Sequence, residues 1–270
     1  MSIIHTIKDL LKHKPVYATI SYLSASDKLK DKRIIVVGGT GGIGQAMAKR
    51  FVAEGARVLI TGRNEEKLAS ISKELGCLAL KLDMTQVDTF TGFLNKAVEL
   101  LGGVDCLVNN AGISLHETFL TVTPEGFDAQ ISTNLRGPFF LTQRFIDYLL
   151  KNNAGGHILF MSSETGEMAD IRPYGLTKAA LNSLIKGLAY SNVKKNIRVN
   201  AIAPGITATA MTGFDPEEDL TNWDNVAGRV YLPEEVAELA AFLLSDAAGS
   251  ISGQIIACNN GSSINARWKR

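Results

Sequence analysis

The sequence predicts an α/β fold, a single doubly wound domain of about seven parallel strands with helices on both faces. Three observations carry this. Apolar runs of strand length alternate with longer helix-like stretches from Lys32 onward. The runs are apolar almost throughout, as strands are when helices cover both sheet faces. No internal repeat or linker divides the 270 residues, a length that one large domain accommodates.

The elements follow in order. Residues 1–31 stand apart as an N-terminal extension. Ile3, Ile4, Ile7, Leu10 and Leu11 fall on one helical stripe that Pro15 should end, the pattern of a helical arm packing on its own domain or a neighbour. The domain is expected over 32–262. Its strands are expected at 33–37, 57–61, 77–82, 104–108, 157–161, 197–202 and 254–257. Its helices are expected at 42–54, 64–75, 85–101, 124–150, 173–193 and 233–245. Pro124 and Pro233 stand where a helix begins, a position that tolerates proline because the N–H there has no helical partner. Residues 211–232 read as a loop-like lid and 263–270 as a tail.

Composition removes several function classes. The 28 Lys+Arg balance 27 Asp+Glu for a net charge of +1, so a nucleic-acid binder working by bulk charge is not expected. No run approaches the ~18 apolar residues of a membrane span, and the N-terminus lacks the features of a secretion signal. Cys77, Cys106 and Cys258 are odd in number and far apart. Neither a disulfide framework nor a metal site follows from them, and buried inert thiols in a reducing cytoplasm fit best.

The first strand runs into Gly38-Gly39-Thr40-Gly41-Gly42-Ile43-Gly44 before a helical pattern starts. Such a turn lets backbone N–H groups approach a pyrophosphate without Cβ clashes, and the helix N-terminus favours the anion. The end of the second strand separates the two nicotinamide dinucleotides, because a carboxylate there would accept hydrogen bonds from a free ribose 2′-hydroxyl. Here Thr61-Gly62-Arg63-Asn64 offers no carboxylate before Glu65. Gly62 removes a side chain that would crowd a phosphate, and Arg63 presents a planar fork that matches one. The cofactor expected is NADP(H).

Tyr174 and Lys178 lie four apart in a helical stretch, so phenol and ammonium share a face. A nearby ammonium favours phenolate and should lower the tyrosine pKa towards the operating range. Ser162 and Ser163 end the fifth strand, Asn109-Asn110-Ala111-Gly112 the fourth, and Pro204-Gly205-Ile206-Thr207-Ala208-Thr209 the sixth. With Asn134 inside the long helix, these constellations converge on the strand-end crevice where doubly wound sheets bind ligands.

In these motifs the chain resembles the short-chain dehydrogenase/reductase family over about residues 32–262, most nearly its 3-oxoacyl-[acyl-carrier-protein] reductases. The residues that carry the resemblance are Gly38, Gly42 and Gly44, Asn109–Gly112, Ser163 with Tyr174 and Lys178, and Asn200–Gly205. The resemblance implies a Rossmann-type sheet in the order 3-2-1-4-5-6-7 and interconversion of a carbonyl and an alcohol. It implies Tyr174 as general acid, Lys178 holding the nicotinamide ribose and acidifying Tyr174, Ser163 polarising the substrate oxygen, and Asn134 holding a water in a proton relay. It places Thr40, Gly41, Ile43, Asp83, Met84, Asn110, Ala111, Gly112, Pro204, Gly205, Ile206, Thr207 and Thr209 along the cofactor. It implies a homotetramer or homodimer through the 124–150 and 173–193 helices.

Three positions depart from the family pattern. Val37 stands where a bracing threonine is frequent. Ser163 precedes Tyr174 by only 11 residues (174 − 163). Asn259-Asn260-Gly261 replaces the usual Asp-Gly-Gly. The lid carries Asp215, Glu217, Glu218, Asp219 and Asp224 against Arg229 alone, which disfavours a highly anionic substrate. Phe214, Trp223, Val226 and Tyr231 are candidates for an apolar wall, Gly213 and Gly228 for hinges. A second reading is a catalytically silent NADP(H)-binding regulator or scaffold. The intact Ser163, Tyr174, Lys178 and Asn134 set argues against it.

Overall fold

A computed structural model of the chain describes residues 15–18 and 27–264. Seven strands form one parallel sheet in the order β3-β2-β1-β4-β5-β6-β7. They are β1 Arg33–Val37, β2 Arg57–Gly62, β3 Leu78–Lys81, β4 Cys106–Asn109, β5 Gly156–Met161, β6 Ile197–Pro204 and β7 Ile255–Cys258. Successive side chains point to opposite faces. Ile35, Val37, Leu59, Leu107, Ile158 and Phe160 therefore enter one core, and Ile34, Val36, Ile60, Val108, Leu159 and Met161 the other. Helices α3 (Phe90–Leu101), α5 (Gly137–Lys151) and α6 (Pro173–Asn192) close the first core. Helices α1 (Gly42–Ala53), α2 (Glu65–Leu75) and α7 (Pro233–Leu244) close the second. Leu29 is fully buried in that second core, so packing begins a little before residue 32.

Two expected helices are corrected. The stretch read as one helix over 124–150 comprises α4 (Pro124–Ile131), a π-helical turn at Ser132–Arg136, and α5. A π turn inserts one residue, too small a change of period to see in sequence. The helix read over 85–101 starts only at Phe90, after a 3-10 turn at Val87–Thr89. The N-terminal helical stripe and most of the tail lie outside the described residues. The three cysteines are free, and burial pushes the Cys106 thiol up to about 12, as an inert core thiol requires. Among the described residues no helix is long and apolar enough to cross a membrane, and no cluster of metal-ligating side chains occurs.

Candidate active site

In this strand order β1 and β4 are neighbours whose following elements leave in opposite directions, which opens a crevice at their C-terminal ends. The Gly38–Gly44 turn forms one wall. Gly38 and Gly42 adopt left-handed φ of 74° and 50°, open to residues without a Cβ. A Cβ on Gly44 would collide with the Gly38 carbonyl, and one on Gly42 would come within 2.7 Å of Thr209 Cγ2. Where Val37 offers no hydroxyl, Asn110 Nδ2 donates to Gly38 O (3.0 Å) and Gly39 N to Thr61 O (2.9 Å). These two bonds brace the turn instead. Gly41 caps α1 with no side chain, which leaves first-turn N–H groups facing the crevice for an anion. The cradle thus fits a dinucleotide pyrophosphate.

At the second strand, a Cβ on Gly62 would stand 2.8 Å from Thr40 Cγ2, so a carboxylate side chain has no room there. Arg63 and Lys67 are exposed at this corner and line the crevice. Lys67 Nζ leans over Gly41, 3.6 Å from where its Cβ would be. Neither cation forms an ion pair among the described residues. Asp83 accepts from Thr85 N and Thr85 Oγ1 at 2.9 and 2.8 Å. Those bonds, with Arg63 nearby, hold its carboxyl below the usual range. Lys67 was not among the residues singled out from the sequence. Its signal was present, one helical turn after Arg63 on the same rim, but rim position is legible only once the chain is folded.

The crevice floor is built by β5 and α6. Ser162 turns away and donates to Asn182 Oδ1 (2.6 Å). Ser163 turns in: its Oγ accepts from Thr165 N and Thr165 Oγ1 at 3.3 and 3.0 Å, and its hydroxyl favours the ionised Tyr174 phenol. The short link between them closes through a 3-10 turn, Glu164–Glu167, in which Gly166 packs directly on the Lys178 backbone. Lys178 is buried, and its Nζ donates to Met161 O (2.7 Å). Burial lowers this ammonium to about 8. Its Nζ lies 5.3 Å from the Tyr174 ring centroid.

Here one expectation is reversed. Burial pushes the Tyr174 phenol above its ordinary value, and the Ser163 hydroxyl and Arg172 only partly offset this. The Lys178 ammonium is committed to a carbonyl, so removing the phenolate from water dominates over the attraction of a neighbouring cation.

Asn134 sits in the π turn. Its Oδ1 accepts from Ile113 N and its Nδ2 donates to Ile113 O, both at 2.8 Å. The side chain thus clamps the segment following Gly112, and both ends of the amide are engaged by backbone. Thr40, Gly41, Gly42, Ile43, Gly38, Asp83, Met84, Asn110, Ala111, Gly112, Pro204, Gly205, Thr207 and Thr209 all line the crevice. Three expected cofactor residues do not. Gly44 is buried behind the turn, Asn64 caps α2 by accepting from Lys67 N (2.8 Å), and Ile206 points to solvent.

The lid is more ordered than a loop. Bridges join Thr207 to Tyr231 and Thr221 to Arg229. Tyr231 is buried and donates to Asn259 O (2.7 Å), which makes it packing and not a substrate wall. Trp223 and Val226 are exposed, 76% and 53%, and Met211 and Thr212 line the crevice in their place. Gly213 and Gly228 have left-handed φ of 76° and 68°. Arg229 is paired with Glu235 (2.7 Å), so the lid's acidic residues are not countered by it.

Comparison with known proteins agrees with this fold. A family model described as enoyl-(acyl carrier protein) reductase matches residues 38–263. A crystal structure of a short-chain type dehydrogenase/reductase from Mycobacterium marinum superposes with a TM-score of 0.81 at 30% identity, over 88% of this chain and 98% of that one. The chain belongs to the short-chain dehydrogenase/reductase family. Within that family it is 35% identical, over 87% of its length and 98% of the relative's, to 3-oxoacyl-[acyl-carrier-protein] reductase FabG of Aquifex aeolicus. The 3-ketoacyl-(acyl-carrier-protein) reductase from Brucella melitensis, solved with NADH, matches with a TM-score of 0.80 at 30% identity, over 87% of this chain and all of that one. As a short-chain dehydrogenase/reductase the protein is an oxidoreductase that uses a nicotinamide cofactor on a small-molecule substrate.

Proposed function

We propose that the protein is an NADP(H)-dependent oxidoreductase that interconverts a ketone or aldehyde and its alcohol. The carrying observation is that Ser163, Tyr174 and Lys178 line one crevice beside the glycine turn, with the Lys178 ammonium 5.3 Å from the Tyr174 ring. The bound dinucleotide supplies the hydride. A phenol held above its ordinary pKa stays protonated at neutral pH, the state needed to donate a proton to a carbonyl oxygen as negative charge builds there. Ser163 accepts two bonds from Thr165, so its one hydrogen is what it gives to the phenol or, when substrate is bound, to the carbonyl oxygen. Lys178 supports the phenolate that remains and holds the nicotinamide ribose. Asn134 keeps Ile113 and the neighbouring Gly112 in place.

The preference for NADP(H) is supported by the rim. A Cβ on Gly62 would crowd Thr40, and Arg63 and Lys67 face the crevice with no ion pair among the described residues, Asp83 being the nearby carboxylate. Two cations and the Thr40 hydroxyl are donors gathered on this rim, which suits a ribose 2′-phosphate. A 3-oxoacyl thioester is the first substrate to test. Exposed Phe127, Phe139, Leu176 and Tyr190 on α4, α5 and α6 support assembly of copies into a homodimer or homotetramer through these helices. The free thiols suit a reducing cytoplasm.

The test is a panel of carbonyls and alcohols followed at the reduced-nicotinamide absorbance with both dinucleotides. Turnover of at least one carbonyl, faster with NADPH than with NADH, is expected. Tight NADPH binding with no turnover across the panel would instead favour a silent binding protein.

A further inference from the structure

Residues 15–18 precede the part of the chain matched by the family model, yet they touch the lid. Leu220 N donates to Val16 O (2.9 Å), and Val16 N donates to Asp219 Oδ1 (2.9 Å). The same carboxylate oxygen accepts from Thr221 N and Thr221 Oγ1 at 3.0 and 2.7 Å, so Asp219 ties this segment to the lid turn. Exposure alternates along it: Pro15 and Tyr17 face solvent while Val16 and Ala18 are half-buried. That period of two is the pattern of an extended segment lying along an edge with one face packed. Ala18 packs into a small apolar cluster of Ala208, Leu220, Val230 and Leu232 with Phe214.

The hydrogen bonding continues inward. Val230 N donates to Leu220 O (2.9 Å), Tyr231 N to Ile206 O (2.8 Å) and Ala208 N to Tyr231 O (2.8 Å). The ladder therefore runs from Val16 through 220 and 230–231 to residues 206–208. That last segment is continuous with Gly205, Thr207 and Thr209, which line the crevice, and Thr209 abuts Gly42 of the phosphate turn. The extra strand covers the outer edge of that small sheet and fixes the wall at its other edge.

We infer that residues 15–18 form the outer strand of the substrate lid, with Val16 and Ala18 as positioning residues for the carbonyl substrate. The inference rests on the crevice being the substrate site proposed above. The test uses the full chain with Ala18→Asp, which puts a carboxylate into the apolar cluster, and Val16→Pro, which removes the N–H given to Asp219. Val16→Ile serves as the conservative control. KM for the best carbonyl should rise about fivefold to tenfold, the loss of roughly one net hydrogen bond or apolar contact. The dissociation constant for NADPH should stay within about twofold, because the Gly38–Gly44 turn is untouched. Amide exchange over 206–232 should speed up in both variants and not in Val16→Ile.

Unchanged exchange and unchanged KM would overturn the inference. So would a rise in the NADPH dissociation constant equal to the rise in KM, which would mark a merely structural role. If the wild type reduces no carbonyl, the function proposed above fails. The exchange experiment, which needs no substrate, still decides whether the strand braces the lid.

Discussion

Lys178→Met tests whether the buried Lys178 ammonium, proposed above to be catalytic, is held at a cost to the fold. A fall of the buried amine from its ordinary 10.5 to about 8 is worth about 3 kcal/mol at ~1.4 kcal/mol per pH unit. Methionine fills nearly the same volume without charge. It also abandons the bond from Nζ to Met161 O, which leaves a buried carbonyl short of a donor at a cost of about 1–2 kcal/mol. The variant should therefore be more stable than the wild type by about 1–2 kcal/mol near pH 7, while carbonyl reduction collapses. The folded-state pKa of Lys178 lies below its unfolded value, so between about 8 and 10.5 the unfolded chain binds more protons. Wild-type stability should gain from this group as pH rises through that window, by up to about 3 kcal/mol. The variant lacks that gain, and all other titrating groups are shared. Urea midpoints of the two proteins at one concentration, taken from neutral pH to about pH 10.5, should converge and then cross. Parallel curves, or a variant less stable by more than about 1 kcal/mol at pH 7, would refute the account of a strained, desolvated ammonium.

Three further outcomes follow from the site. Tyr174→Phe should lower kcat by about two to four orders of magnitude while leaving the NADPH dissociation constant nearly unchanged, since only the proton donor is lost; stopped-flow turnover with a fluorescence titration checks both. Arg63→Ala and Lys67→Gln should each raise the dissociation constant of 2′,5′-ADP by about tenfold and barely change that of ADP, the loss of one charge-assisted contact; calorimetry reads this without turnover. Gly44→Ala should abolish cofactor binding and destabilise the fold by several kcal/mol, on the order of an overpacked core site, because its Cβ would meet the Gly38 carbonyl; a thermal melt with and without NADPH reads both effects.

The strand runs were legible because both faces of the sheet are buried, so β1, β2, β4 and β5 each carry an apolar run of three or four residues in sequence. The Gly38–Gly44 turn was legible because backbone that approaches an anion excludes side chains, a constraint written in residue type. Tyr174 and Lys178 were legible because a helix puts positions four apart on one face. Helix 124–150 was not, since one extra residue at 132–136 leaves the apolar stripe nearly unchanged. The direction of the Tyr174 shift was not, because it depends on how much water reaches the hydroxyl and on where the Lys178 proton is spent.

Local spacing and residue type thus determined the layers of this protein, its glycine turn and the residues that meet at the strand ends. Only the tertiary structure decided which serine faces the tyrosine, that Lys67 joins Arg63 on the rim, and that residues 15–18 close the edge of the lid. The physical reason is range. Periodicity and backbone sterics act over a few neighbouring residues, whereas desolvation and edge pairing depend on groups as far apart as Val16 and Leu220 that meet only when the chain is packed.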